Sequence, residues 1–213
     1  MPKRVDHEHR RQQIAAAVRR IAAERGLEGV SLNEVAAEAG ISKGFVQHYF
    51  ASRDDMLRHA ATTLRGGIEE RIAAARPDGE PGVRDLLVAL LPLDDAARDD
   101  ALVANAFLVR ALKDPEIAGH FRTGHGQLRD VVAAMLAASR DDGDLVATVD
   151  PPAEAVLLLA LVSGLGDAVL LGYQTGEEAI ALVDLHLSRI TAAPGKAGWA
   201  SSGRTVASAA ETS

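Results

Sequence analysis

The feature that most constrains this chain is a cluster of three helix starts inside VSLNEVAAEAGISKGFVQHYFASRDD, residues 30–55. Ser31 and Glu34 stand at capping-box spacing, and Val30 can staple against Val35 across that start. Gly40 stops the helix after about two turns. Ser42 then caps a second short helix, with Ile41 and Val46 as its staple, and Ser52 with Asp55 makes the third pair. Helices this short do not persist alone in water, so each must be fixed by its neighbours. Two of them joined by a Gly-containing turn and braced by a longer preceding helix make a helix-turn-helix. The competing reading is a small helical hairpin packed on a larger domain.

The brace is present. RRQQIAAAVRRIAAERG places Ile14, Val18 and Ile21 on one helical face, and Gly26 suits the left-handed residue after a helix end. In a helix-turn-helix the second short helix enters the DNA major groove with its N-terminal residues near the bases. On SKGFVQHYF, Val46 and Phe50 are four apart and face inward, which turns Lys43, Gly44, Gln47 and His48 outward. Gly44 costs roughly 1 kcal/mol against Ala in a helix. It either lets a phosphate approach the backbone or merely fits a tight corner. The whole chain carries a net charge of −7, yet residues 1–60 hold ten Lys/Arg against eight acids, so a slightly basic head sits on an acidic body.

These residues resemble a known family. SLNEVAAEAGISKGFVQHYFASRDDML, within a stretch from about residue 10 to 57, is similar to the N-terminal DNA-binding domain of the TetR family of bacterial transcriptional regulators. The layout down to DDGDLVATVDPPAEAVLLLALVSGLGDAVLL resembles the betaine-repressor-like branch of that family. The resemblance implies that Ser31, Lys43, His48, Tyr49 and Arg53 contact phosphates or support such contacts. It implies that Ser42 and Gly44 stand where backbone meets the groove. Gln47 occupies a position where many members have Tyr, and a glutamine amide can pair with adenine N6 and N7. Phe45 either covers a thymine methyl or packs on the first helix.

The expected fold class is all-α, with about nine helices: a helix-turn-helix domain over residues 1–52, a larger helical ligand-binding and dimerisation domain over 53–191, and a disordered tail over 192–213. The fourth helix is expected from Arg53 to Ala75, ending before the loop RPDGEPG. A short helix follows around Val83–Leu91 and stops at Pro92. Asp94 caps a helix through Leu112, and the Asp114-Pro115 pair opens a long one to about Arg140. Asp150-Pro151 repeats that start signal, and Thr175 with Glu178 caps a last helix ending near Ile190. The tail TAAPGKAGWASSGRTVASAAETS is small, polar and aperiodic.

AVLLLALVSGLGDAVLLGY is long and apolar enough to invite a membrane-spanning reading. Asp167 near its middle argues against lipid, where it would cost on the order of 3 kcal/mol. Ala160, Gly164, Ala168 and Gly172 repeat every four residues as a flat stripe, and Ile180, Val183, Leu187 and Ile190 form a face on the final helix. Such faces suit a four-helix homodimer bundle through residues 153–173 and 176–190, which the resemblance also implies, or else they serve only the core of one subunit. A dimer reads two half-sites, so the operator is expected to be an inverted repeat.

A ligand site is expected in the larger domain. ALVANAFLVRALKD is apolar nearly all round yet contains Asn105 and Arg110, and FRTGHGQL puts Gly124 and Gly126 inside a helix. Asn105, Arg110, His120, His125, Asp167 and Tyr173 are the polar candidates, with Phe107 and Phe121 among the rings. An aromatic cage for a quaternary ammonium is poorly served by three scattered rings. A mainly aliphatic effector with one acidic group for Arg110 fits better. No phosphate loop, nucleophile elbow or metal-spaced cluster is present, and HEH at His7–His9 sits in a fraying terminus, so no catalytic residue, metal or cofactor is expected. With no cysteine and a polar start, the expected location is the cytoplasm. Three function classes stand: a ligand-responsive repressor, a DNA-binding protein without a ligand, and a helical small-molecule-binding or interaction protein without specific DNA binding.

Overall fold

The computed structural model describes residues 2–63, Arg71 and residues 82–192, with side chains from His7 onward. Among these residues there are nine α-helices and no strand. Helix α1 (Pro2–Arg25) leads through a 3-10 turn (Leu27–Gly29) to α2 (Leu32–Glu38), α3 (Lys43–Tyr49) and α4 (Arg53–Thr62). Helices α5 (Val83–Ala89), α6 (Asp95–Ala111), α7 (Pro115–Asp141), α8 (Pro151–Leu170) and α9 (Gly176–Ile190) complete the body. The expected end of the fourth helix, the loop at residues 76–81 and the tail with Trp199 lie outside the described residues.

The starts form for the reasons the sequence suggests. The hydroxyls of Ser31, Ser42 and Ser52 accept from the backbone N–H groups of Glu34, Phe45 and Asp55 at 3.2, 3.1 and 3.1 Å. Gly40 sits at φ 66°, a left-handed conformation that a side chain would strain, and so turns the chain from α2 into α3. Thr175 and Glu178 close a full capping box on α9. Asp150 behaves differently from Asp114. Its side chain caps nothing, and only Pro151 marks the start of α8. Gly124 and Gly126 do not break α7, which runs on to Asp141.

Two apolar cores organise the chain. The first gathers Ile14, Val18 and Ile21 of α1, Val35, Val46 and Phe50, and Met56, Leu57, Ala60 and Ala61 of α4. It also takes in Val103, Phe107 and Ala111 of α6 and Ile117 of α7, with Phe107 fully enclosed. The head core therefore runs past residue 52 and includes part of the body. The second core joins Leu86, Leu87 and Leu91 to Val132, Leu136, and the buried faces of α8 and α9. Helix α8 is long and apolar enough to cross a membrane, but Leu158, Leu159, Val162 and Leu165 bury against this core. The face of α9 expected at a partner subunit lies in the same core: Val183, Leu187 and Ile190 are buried and Ile180 packs against them. Its outward stripe is Glu178, Leu182, Leu185 and Arg189 instead.

Ion pairs brace head to body. Arg110 of α6 donates to Asp54 of α4 at 2.9 Å, and Arg58 of α4 reaches Asp114 and Glu116 at 3.2 Å each. Asp114 is only 4% exposed and is the one buried charged residue among those described. Its carboxylate caps α7 by accepting from the N–H groups of Glu116 and Ile117. Burial alone pushes its pKa up, but the Ile117 N–H and the Arg58 charge outweigh burial and hold it below the usual carboxylate value.

A carboxylate with a depressed folded-state pKa stabilises the fold above its unfolded value and loses that contribution as pH falls through the folded one. Asp114→Asn keeps a good N-cap and removes only the charge. We expect it to lose on the order of 1 kcal/mol at neutral pH, with the gap to wild type closing below about pH 4. Urea unfolding of both proteins across that range checks the sign.

Candidate nucleic-acid interface and effector cavity

On α3 the polar residues face out and the apolar ones face in. Ser42, Lys43, Gly44, Gln47 and His48 are exposed, Phe45 and Tyr49 half-buried, and Val46 and Phe50 buried. A Cβ at Gly44 would meet nothing within 4 Å, so no tight corner within the protein demands this glycine. Phe45 lies against Tyr49 at 5.1 Å between ring centroids, and Tyr49 lies against His7 of α1 at 4.6 Å and edge-on to His48 at 5.1 Å. The ring contact from His7 had no sequence signal, because the two residues meet only once the helices cross. Behind α3, Arg11 sits 4.6 Å over Phe50 and His59 packs on the same ring. Burial, reinforced by the Arg11 charge, lowers the His59 pKa and favours a neutral ring.

Most cations of the head are already engaged. Arg20 pairs with Glu38, Arg25 with Glu34, and Arg19 donates to the Thr63 carbonyl. Arg53, expected at a phosphate, donates instead to the carbonyl oxygens of Val30 (2.6 Å) and Leu27, so it ties the start of α4 to the turn before α2. Ser31 is half-buried as the cap of α2. Lys43 and Gln47 have no hydrogen-bond or ion-pair partner among the described residues. A free ammonium at the start of α3 and a free amide one turn later are the groups left to meet a ligand.

The body holds a half-open cavity of about 420 Å³ between α6, α7 and α8, with Asn105, His125, Ser163 and Asp167 exposed along it. Its polar lining is Arg71, Asp100, Asn105, His125, Ser163 and Asp167, set among Leu90, Leu128, Val156, Leu159 and Leu170. Asn105 donates to Asp167 at 3.0 Å. Arg71 donates to Asp100 at 2.9 Å and to the Ala89 carbonyl at 3.0 Å.

Of the eight residues expected at a ligand, Asn105, His125 and Asp167 line this cavity. Phe107 is enclosed in the head core, Phe121 packs against that core, and Arg110 is held by Asp54. His120 faces solvent and Tyr173 is 74% exposed beyond the end of α8. Arg71, Asp100 and Ser163 were not foreseen. A signal for the last was present: Val156, Ala160, Ser163 and Asp167 recur at helical spacing along one face of α8.

Residues 14–60 match the family described as bacterial regulatory proteins, tetR family, and residues 79–192 match the BetI-type transcriptional repressor C-terminal family. The transcriptional regulator PksA of Bacillus subtilis is 35% identical over 177 residues, covering 78% of this chain and 80% of that protein. The regulator BetI of Burkholderia ambifaria is 39% identical over 93 residues, 42% of this chain and 48% of that one. A transcriptional regulator from Rhodococcus sp. Rha1 superposes with TM-score 0.73 at 33% identity, over 84% of this chain and 95% of its own. A regulator from Saccharomonospora viridis, solved in complex with choline, shares the fold with TM-score 0.77 at 22% identity, over 87% of this chain and all of its own.

The Arg53 contacts make a stability prediction. Arg53→Ala strips the Val30 carbonyl of its donor, while the Leu27 carbonyl keeps the Val30 N–H, and should cost on the order of 1 kcal/mol, read by chemical denaturation. Its effect on DNA binding should track the unfolded fraction. A fully stable Arg53→Ala protein with weakened DNA binding would return this residue to the phosphates.

Proposed function

We propose, for a chain that belongs to the TetR family of bacterial transcriptional regulators and carries a BetI-type C-terminal domain, a cytoplasmic repressor released from its operator by a mainly aliphatic small molecule. Members of this family are regulators and not enzymes; they bind DNA operators and small-molecule effectors and act as dimers. The observation that carries the reading is the position of α6. Asp100, Ala104 and Asn105 on this helix line the cavity, while Phe107 and Ala111 sit in the head core and Arg110 holds α4. A ligand that moves α6 therefore moves the floor beneath α3. Arg110 lies away from the cavity, so the acidic group it was expected to receive is dropped from the effector.

The proposed dimer seam uses α8 and α9. On α8, Leu157 and Gly164 are exposed beside the cavity-lining face, and a Cβ at Gly164 would meet nothing within 4 Å. On α9, Leu182 and Leu185 are the outward apolar residues. Sedimentation at micromolar concentration should give about twice 22.4 kDa, and Gly164→Arg should shift the protein toward monomer without unfolding it. A monomeric wild type under those conditions would remove the seam.

Dimer symmetry leads to an inverted-repeat operator, which selection from random DNA would reveal. On each half-site Lys43 takes a phosphate and Gln47 reads a base edge, with Ser42 and Gly44 at the backbone and Phe45, His48 and Tyr49 at the groove wall. Lys43→Ala should weaken binding to all sequences alike and lower the salt slope by about one. Gln47→Ala should cost about 1–3 kcal/mol at one position per half-site and leave the slope nearly unchanged. Identical behaviour of the two variants in salt-dependent titrations would overturn this division.

A further inference from the structure

We infer that the cavity takes an aliphatic amine bearing N–H donors, held through its ammonium group by Asp167. This deepens the proposed function and rests on reading the cavity as the effector site. Arg71 is closed off by Asp100 and the Ala89 carbonyl, so that pair is neutral. Asp167 receives only a neutral amide, from Asn105 to Oδ1, and its Oδ2 has no partner among the described residues. Among the described acidic and basic lining residues other than histidine, the unbalanced formal charge is negative and resides on Asp167.

An anionic ligand would meet that carboxylate and would need to separate Arg71 from Asp100. A quaternary ammonium has no N–H to donate and is normally recognised by aromatic faces, yet no aromatic ring lines the cavity among the described residues. An ammonium with N–H groups answers both conditions, because charge-assisted hydrogen bonds to carboxylate are the strong ones. Apart from His125 and Ser163, the remaining wall among the described residues is aliphatic: Val156, Leu159 and Leu170 on α8, with Leu90 and Leu128. At roughly 30 Å³ per heavy atom, the volume share of a liquid water, the cavity has room for about a dozen such atoms.

The test is calorimetric titration of the full chain at pH 8, where an ordinary histidine is neutral. The probes are octylamine, octyltrimethylammonium, octanol and octanoate, each below its micelle concentration. Octylamine should bind at least about tenfold more tightly than the other three. Asp167→Asn should reduce octylamine to the affinity of octanol and leave octanol unchanged. Octanoate or octyltrimethylammonium equalling octylamine, an Asp167→Asn variant that binds octylamine as wild type does, or no binding of any probe would each overturn the inference. Should the variant not fold by circular dichroism, the ranking of the four probes on wild type decides alone. DNA selection without ligand runs in parallel. Specific DNA binding with no preference for the amine sinks this inference only, and amine binding with no specific DNA sinks the regulator reading only.

Discussion

Helices α2 and α3 are seven residues each, too short to hold their own geometry. The outward surface of α3 is therefore only as ordered as the apolar layer beneath it. Val46 and Phe50 anchor α3 into that layer, and Phe50 carries Arg11 on one side and His59 on another. Seen from this constraint, much of the head is scaffolding for one short helix. The serine caps fix where each helix begins, Gly40 fixes the angle between α2 and α3, and Arg53 pins the entry to α4. The engagement of Arg19, Arg20, Arg25 and Arg53 has the same purpose. Cations that a charge count would assign to DNA are holding the platform, and Lys43 is left facing outward.

Helix α6 joins the cavity to the head core by virtue of its length. Within one turn it passes from cavity lining at Asn105 to head core at Phe107, and its last turn reaches α4 through Arg110. Packed interiors shift as units and resist continuous deformation, so displacement at one end of this helix cannot be absorbed within it. Asp114 adds rigidity at the next corner, because one carboxylate serves both as the cap of α7 and as the partner of Arg58.

Local features were legible in the sequence. The three serine caps, the turn at Gly40, the Asp114-Pro115 start and the capping box at Thr175 all depend on groups within about four residues of one another, so spacing alone reveals them. Long-range choices were not. Arg53 meets carbonyls at Leu27 and Val30, and Arg110 meets Asp54, and nothing in the sequence says which distant group a guanidinium will find. Helix α9 shows the same limit. Its periodicity marked Ile180, Val183, Leu187 and Ile190 as an apolar face, but a face does not say whether its partner is the same chain or another copy. Half of the cavity's polar lining was visible as Asn105, His125 and Asp167. Arg71 and Asp100 were not, because as charged residues on ordinary helical segments they carry no pattern until the fold brings them together.

The enclosure of Phe107 bears on how such proteins can be recombined. The head looks like a cassette in the sequence, with its own caps, turn and brace. In three dimensions it borrows Val103, Phe107, Ala111 and Ile117 from segments about forty to sixty residues further along the chain. A head cut free after α4 would carry an apolar hole where a phenylalanine belongs, and emptying such a site costs about 3–5 kcal/mol. Grafting this head onto a foreign body would thus succeed only where the recipient helix already presents a matching side chain. The unit that can be exchanged without damage is the head together with the C-terminal half of α6 and the first turn of α7, a discontinuous module that no single crossover in the gene can deliver.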